Sequence, residues 1–264
     1  MADETAPAGP APGLAGKRGL VLGIANEHSI AAGCARHFAS GGARLAATFL
    51  NARAEPFVRA VTTPLGAELV LPCDVALPGE LEAVFAAIAR QWGGLDFLLH
   101  AIAFAPREDL HGRVIDCSAA GFAQAMDVSC HSFLRAARLA EPLMAAGGAL
   151  MTVSFYGSAR VVPNYNVMGP VKAALESAVR YLAAELGPKQ IRVNALSPGP
   201  IRTRAASGIA HFDELMEQTA ATTPEHHLAE IDDVGALAAF LAGDGARRIT
   251  GTVIPIDGGA HVLA

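Results

Sequence analysis

Short apolar runs alternate with longer, alanine-rich segments of helical periodicity along almost the whole chain, and this alternation restricts the fold more than any other feature. Residues 19–23, 43–49, 68–71, 97–101, 149–154, 192–196 and 253–256 read as strands. Residues 29–40, 53–62, 80–91, 119–145, 165–186 and 231–241 carry helical patterns between them. Strand, helix, strand repeated in this way predicts an α/β fold, a Rossmann-type doubly wound parallel sheet of seven strands with helices on both faces. No linker or internal repeat interrupts the pattern, so residues 17–264 are expected to form a single domain for dinucleotide binding and catalysis. Residues 1–16, rich in Ala, Pro and Gly, are expected to be a disordered tail. They lack the basic start and apolar run of a secretory signal.

One stretch breaks the rhythm. Residues 198–230 exceed a usual connection and contain a helical pattern near 209–219. Long insertions at the carboxyl end of a parallel sheet serve as lids or binding loops, so a substrate lid is expected there, with a plain surface excursion as the alternative.

Composition narrows the function classes. A formal charge of -5 with a pI near 6.0 excludes an electrostatic nucleic-acid footprint. The only long uncharged stretch, residues 142–159, is broken by Gly147 and Gly148 and is no membrane span. Cys34, Cys73, Cys117 and Cys130 are scattered and His226 adjoins His227, so no metal site is expected. A soluble cytoplasmic protein is the expectation.

Several motifs fall at strand ends, where such a fold binds ligands. Gly23 to Ala31 follows the first strand and opens the first helix, the place for a pyrophosphate on backbone N–H groups, with Ser29 able to cap the helix and to meet a phosphate. Neither an acid nor an arginine follows the second strand until Arg53 and Glu55, which leaves NADH and NADPH undecided locally. Asp74 follows the third strand and suits an adenine amino group or, equally, a turn. Small residues follow His100 in the fourth strand and let a cofactor approach the backbone, or reflect tight packing. A Pro-Gly-Pro exit fixes the path of Ile201 and Thr203 after the sixth strand.

Tyr165 and Lys172 stand seven positions apart, about two helical turns, so both side chains can leave one face. An ammonium beside a phenol favours the phenolate, and a group of pKa near ~10 would then be a better acid near neutrality. A half-buried tyrosine and an unrelated surface lysine is the alternative.

These residues resemble the short-chain dehydrogenase/reductase superfamily, and more narrowly its bacterial NADH-dependent enoyl-acyl-carrier-protein reductase branch. The most specific pieces lie within residues 23–31, 100–106, 163–172 and 192–208. Ordinary members carry Asn-Ala-Gly after the fourth strand and a serine thirteen positions before the tyrosine; here Ala101-Ile102-Ala103 and Thr152 stand there, which turns the comparison from alcohol chemistry toward enoyl reduction.

The resemblance implies that Tyr165 hydrogen-bonds the thioester carbonyl of a trans-2-enoyl substrate, and that Lys172 binds the nicotinamide ribose. Gly23, Ser29 and Ile30 would line the pyrophosphate, Asp74 and Val75 the adenine, and Ile102 the cofactor's flank. Ile201, Arg202, Thr203, Arg204 and Ala205 would hold the carboxamide and phosphates. Ala105 would touch the acyl thioester, with Met168, Ile209 and Phe212 forming an apolar slot beside Met216. The family's second tyrosine, ten positions before the first, falls on Phe155, so Tyr156 is the phenol able to replace it if the strand end rotates. The resemblance also implies NADH as cofactor, an enoyl thioester on acyl carrier protein or coenzyme A as substrate, and a homotetramer. The rival expectations are another short-chain reductase with a different enoyl or carbonyl substrate, and a catalytically retired NAD-binding paralogue.

Overall fold

The computed structural model describes residues 13–203 and 211–263. Most of the expected tail, and Arg204, Ala205 and Ile209 of the expected site, lie outside the described residues.

Seven strands form one sheet: β1 (Arg18–Leu22), β2 (Arg44–Phe49), β3 (Leu69–Pro72), β4 (Phe97–His100), β5 (Gly148–Val153), β6 (Ile191–Pro198) and β7 (Val253–Ile256). Their order is β3-β2-β1-β4-β5-β6-β7, and every neighbouring pair is parallel. The main helices are α1 (Ile30–Ser40), α2 (Glu55–Thr62), α3 (Glu80–Trp92), α4 (Arg107–Leu110), α5 (Ala119–Met126), α6 (Ser132–Ala140), α7 (Met168–Leu186), α8 (Phe212–Thr222) and α9 (Ile231–Ala242).

Parallel strands covered on both faces must be apolar on both, and the central strands are. Leu20, Leu98 and Leu150 point into one core with Phe85, Phe133 and Val171 of α3, α6 and α7. Their neighbours Val21, Leu99 and Met151 point into the opposite core with Phe38 of α1 and Val234 of α9. The two cores therefore follow the period of two along each strand. Strand order reverses between β1 and β4, which opens a crevice at the carboxyl ends of these strands. Among the described residues no helix is long and apolar enough to cross a membrane, and no group of His, Cys, Asp and Glu side chains could hold a metal ion.

The expected helix over 119–145 is divided. A wide π turn at Asp127–His131 separates α5 from α6. That turn brings Ser129 to the β4 exit, where its hydroxyl accepts the Phe104 N–H at 2.9 Å and donates to the Phe104 carbonyl at 3.0 Å. Extra-wide turns of this kind are frequent beside functional sites. The helix expected from residue 165 starts only at Met168. Asn164 and Asn166, at φ 64 and 43, hold the backbone left-handed on either side of Tyr165, a conformation Asn tolerates better than most residues.

Candidate active site

The site is built on the exits of β1, β4, β5 and β6. Gly23 follows β1 at φ +103, and a Cβ there would lie 2.2 Å from the Ala101 carbonyl oxygen after β4. Only glycine avoids that clash and lets the two strand exits approach so closely, and its missing side chain leaves the backbone at α1 open to a ligand. Ser29 is at the N-cap of α1, but its side chain makes no capping bond. The hydroxyl instead donates to the Asn26 carbonyl at 2.6 Å. This corrects the expected cap: the Ser29 hydroxyl stiffens the preceding loop, while its carbonyl accepts the Ala32 and Gly33 N–H groups, which leaves the very start of α1 to other acceptors.

After β3, Asp74 closes a tight turn, its Oδ1 accepting the Ala76 N–H at 2.9 Å while its own N–H donates to Glu80 at 2.5 Å. Val75 is buried, and its carbonyl accepts from Arg135 of α6 at 2.6 Å. Ile102 and Ala105 are partly buried against the same core that contains Tyr165 and Met168. Ile201 packs on the opposite core. Arg202 reaches across to Asp213 of α8 at 2.6 Å, tying the β6 exit to the first turn of the α8 helix. Phe212 opens α8 half-buried, and it is Leu215, not named from the sequence, that packs on the core.

At the β5 exit, Lys172 is buried, 5% exposed, and its Nζ donates to the Val153 carbonyl at 2.7 Å. An ammonium has three donors, so two remain for a ligand. Burial pushes Lys172 down to about 8, opposed by the nearby Cys130 thiol and the Glu176 carboxylate. Tyr165 is also buried, at 8% exposure. Its phenol is held well above the ordinary tyrosine value by burial and then by Glu176. The sequence-based expectation of a more acidic phenol is thereby reversed. Desolvation and the Glu176 charge both disfavour the phenolate, so Tyr165 stays protonated and keeps an O–H to donate.

Three aromatic rings line the exit in the spatial order Tyr156, Phe155, Tyr165. Phe155 lies edge-on to Tyr165 with centroids 4.9 Å apart, and edge-on to Tyr156 at 4.7 Å. Tyr156 thus stands on the far side of Phe155, where burial and the Asp257 carboxylate raise its phenol while Arg160 opposes them. The side chain beside Tyr165 is Phe155. Gly157 faces the same ring: a Cβ there would come within 2.6 Å of Tyr165 Cδ1.

Two further groups support the site. His100 at the end of β4 is fully buried, with Nε2 2.7 Å from Ser132 Oγ. The Ser132 hydroxyl donates to the Val128 carbonyl at 2.7 Å, so Nε2 is the protonated nitrogen. Glu176, four residues beyond Lys172 on α7, accepts from Ser154 and Ser158 at 2.5 and 2.6 Å. Sequence reasoning missed Glu176, although its i+4 spacing from Lys172 was the available signal.

A family model described as "Enoyl-(Acyl carrier protein) reductase" matches residues 23–261. The enoyl-acyl-carrier-protein reductase (NADH) of Aquifex aeolicus is 45% identical over 251 residues, covering 95% of this chain and 93% of that protein. Its Escherichia coli counterpart is 42% identical over 252 residues, covering 95% and 96%. Among solved structures, the Anaplasma phagocytophilum reductase in complex with NAD superposes with a TM-score of 0.93 at 42% identity, covering 97% of each chain. The Aquifex aeolicus structure gives 0.92 at 45%, covering 95% of this chain and 99% of that one.

Proposed function

The chain belongs to the enoyl-acyl-carrier-protein reductase family and is an NADH-dependent reductase of trans-2-enoyl thioesters in fatty acid synthesis; on that premise we propose that Tyr165 and Lys172 carry the reaction at the β5 exit. The observations that support these roles are a buried, protonated phenol and, at the same strand exit, a buried lysine that spends one donor on Val153, both under the influence of Glu176.

The bare crevice at Gly23, which a Cβ would fill, and the first turn of α1 suit a pyrophosphate. Gly23, Ser29 and Ile30 would hold it, Asp74 and Val75 the adenine, and Ile102 the flank of the ring system. Lys172 would hold the ribose hydroxyls with the donors left by Val153. Ile201, Arg202 and Thr203, together with Arg204 and Ala205, would hold the carboxamide and phosphates. When bound, the nicotinamide supplies the hydride for the β-carbon of the substrate.

The protein's part is placement and charge stabilisation. As the β-carbon gains its hydrogen, negative charge collects on the thioester oxygen. Tyr165 O–H donates to that oxygen, and a donor already fixed by burial needs no reorganisation during the step. The positive charge of Lys172 would add to that field. Phe155, Ala105, Met168 and Phe212, with Ile209, would form the apolar walls for the acyl chain. Tyr156 would act on this pocket through Phe155, by fixing its ring.

We further propose that residues 17–264 work as one domain, that 198–230 including α8 serve as the substrate lid, and that the protein is a cytoplasmic homotetramer. The tetramer draws support from exposed apolar side chains around the start of α5, Ile115 being 75% exposed and Phe122 43%. Light scattering after gel filtration tests it.

Steady-state assays with NADH and NADPH, each against crotonyl and longer enoyl thioesters on acyl carrier protein and on coenzyme A, test the reaction. We expect NADH oxidation with the enoyl thioesters and none with ketones. NADH binding without turnover on any enoyl thioester would point to a retired paralogue instead.

A further inference from the structure

Helix α7 grips the β5 exit at two levels. At the upper level Lys172 Nζ donates to the Val153 carbonyl. One turn further, Glu176 Oε1 accepts from both Ser154 Oγ, at 2.5 Å, and Ser158 Oγ, at 2.6 Å. Ser154 is 2% exposed, so at least one of these charge-assisted bonds is shielded from water. The two serines bracket Phe155, Tyr156 and Gly157. Two of those three residues meet the Tyr165 ring, Phe155 by an edge contact and Gly157 by the Cβ it lacks. One carboxylate oxygen therefore fastens the loop that shapes the pocket of Tyr165 to the helix that carries Lys172.

We infer that Glu176 is a positioning residue for the reduction. It clamps the 154–158 loop onto α7 so that Phe155 and Gly157 hold the Tyr165 ring, and it supplies the negative charge facing the buried pair. This role rests on Tyr165 and Lys172 being the catalytic pair.

Electrostatics adds to the geometry. Glu176 raises the proton affinity of Lys172, and separately that of Tyr165. The other titratable groups near Lys172 are Cys130 in the π turn and His100 at the end of β4. The thiol is held above its ordinary value by burial, and the imidazole is held at about 3 by burial and then by the lysine charge. Both are therefore uncharged near neutrality, which leaves Glu176 as the carboxylate acting on the pair. Removing its charge makes Lys172 lose its proton at lower pH.

Glu176→Gln and Glu176→Ala separate charge from clamp. Glutamine keeps a side-chain oxygen for the two serines and removes the charge, whereas alanine removes both. The full-length protein is assayed with NADH and crotonyl-coenzyme A across pH, beside its melting curve and beside Tyr165→Phe. For Glu176→Gln we expect a folded protein whose kcat/KM profile has its basic limb moved to lower pH. For Glu176→Ala we expect kcat to fall by up to ~10²-fold with the KM for NADH little changed, since a loosened loop misplaces the phenol.

A wild-type pH profile in Glu176→Gln, or a Glu176→Ala variant whose kcat stays at the wild-type value, overturns the inference. If Tyr165→Phe itself turns over within a few-fold of wild type, the assignment of the catalytic pair fails instead. The two failures are thus distinguished in one experiment.

Discussion

Phe155 presents its ring edge-on to Tyr165, with centroids 4.9 Å apart and planes inclined at 62°. An aromatic pair in this geometry adds about 0.5–1.5 kcal/mol beyond the area it buries. The contact gives the phenol an apolar wall where a second hydroxyl would otherwise stand. Phe155→Ala removes the wall, and we expect about a tenfold fall in kcat with a smaller change in KM. Phe155→Tyr keeps the ring and adds a polar atom to the acyl pocket, so kcat/KM for long enoyl chains should fall relative to crotonyl. A chain-length series with both variants checks the pair of outcomes.

Tyr165→Phe deletes the donor and leaves the ring packing in place. Losing one preorganised donor to a developing oxyanion costs about 3–4 kcal/mol, or ~10²–10³ in kcat. NADH affinity, measured by fluorescence, should stay near wild type. Burial and Glu176 hold the phenol above its ordinary range, so no basic limb from Tyr165 ionisation should appear in the wild-type rate profile below pH about 10.

Gly157 sits where any side chain would strike the same ring. A Cβ there lies 2.6 Å from Tyr165 Cδ1 and 3.2 Å from Phe155 Cδ1, so either the loop or the phenol must move. Gly157→Ala is expected to lower stability by about 1–3 kcal/mol and kcat by up to ~10²-fold. Kinetics and thermal melting on one preparation separate the two effects.

The fold was legible because a doubly wound sheet imposes a strong pattern. Both faces of β1, β4 and β5 are covered, so their apolar runs stand out against the helical segments between them. The Tyr165–Lys172 pair and the bare Gly23 exit were legible for a similar reason, since spacing and strand-end position are properties of the chain itself. What escaped depends on three dimensions. The acidity of Tyr165 had the wrong sign because burial and Glu176 both raise the phenol, and spacing says nothing of burial. Ser29 looked like a cap, yet the loop before it turned its hydroxyl to Asn26. The π turn at Asp127–His131 depends on Ser129 reaching Phe104, and Glu176 gained its meaning only once Ser154 and Ser158 met it.

Lys172 carries an electrostatic cost. Burial lowers it to about 8, so near neutrality the folded protein carries a charge that its surroundings disfavour. Lys172→Met should abolish turnover and weaken NADH binding while raising stability by roughly 1–3 kcal/mol. In the wild type, the positive charge is lost as pH rises through about 8, and NADH affinity of the free enzyme should fall over that range. Urea melts of the variant and a pH series of binding constants check both.

His100 should set the first stage of acid destabilisation. In the folded protein burial, then the charge of Lys172, hold its imidazole at about 3, whereas an unfolded histidine titrates near ~6.5. Between these values the unfolded chain binds a proton that the folded one refuses, so stability rises with pH and is lost as pH falls. The loss is about 1.4 kcal/mol per pH unit, or roughly 2–3 kcal/mol between pH ~6.5 and ~4.5. Paired carboxylates act lower: Glu68, held at about 2 by Arg44 and Trp92, contributes its loss only below its unfolded value near ~4.3. The upper window therefore isolates the histidine. His100→Gln leaves the Ser132 hydroxyl bonded to Val128 and removes the titrating group. Urea melts at half-unit steps should show a shallower slope for the variant from pH ~6.5 to ~4.5, whatever its absolute stability. Equal slopes in the two proteins would mean that another group governs acid unfolding.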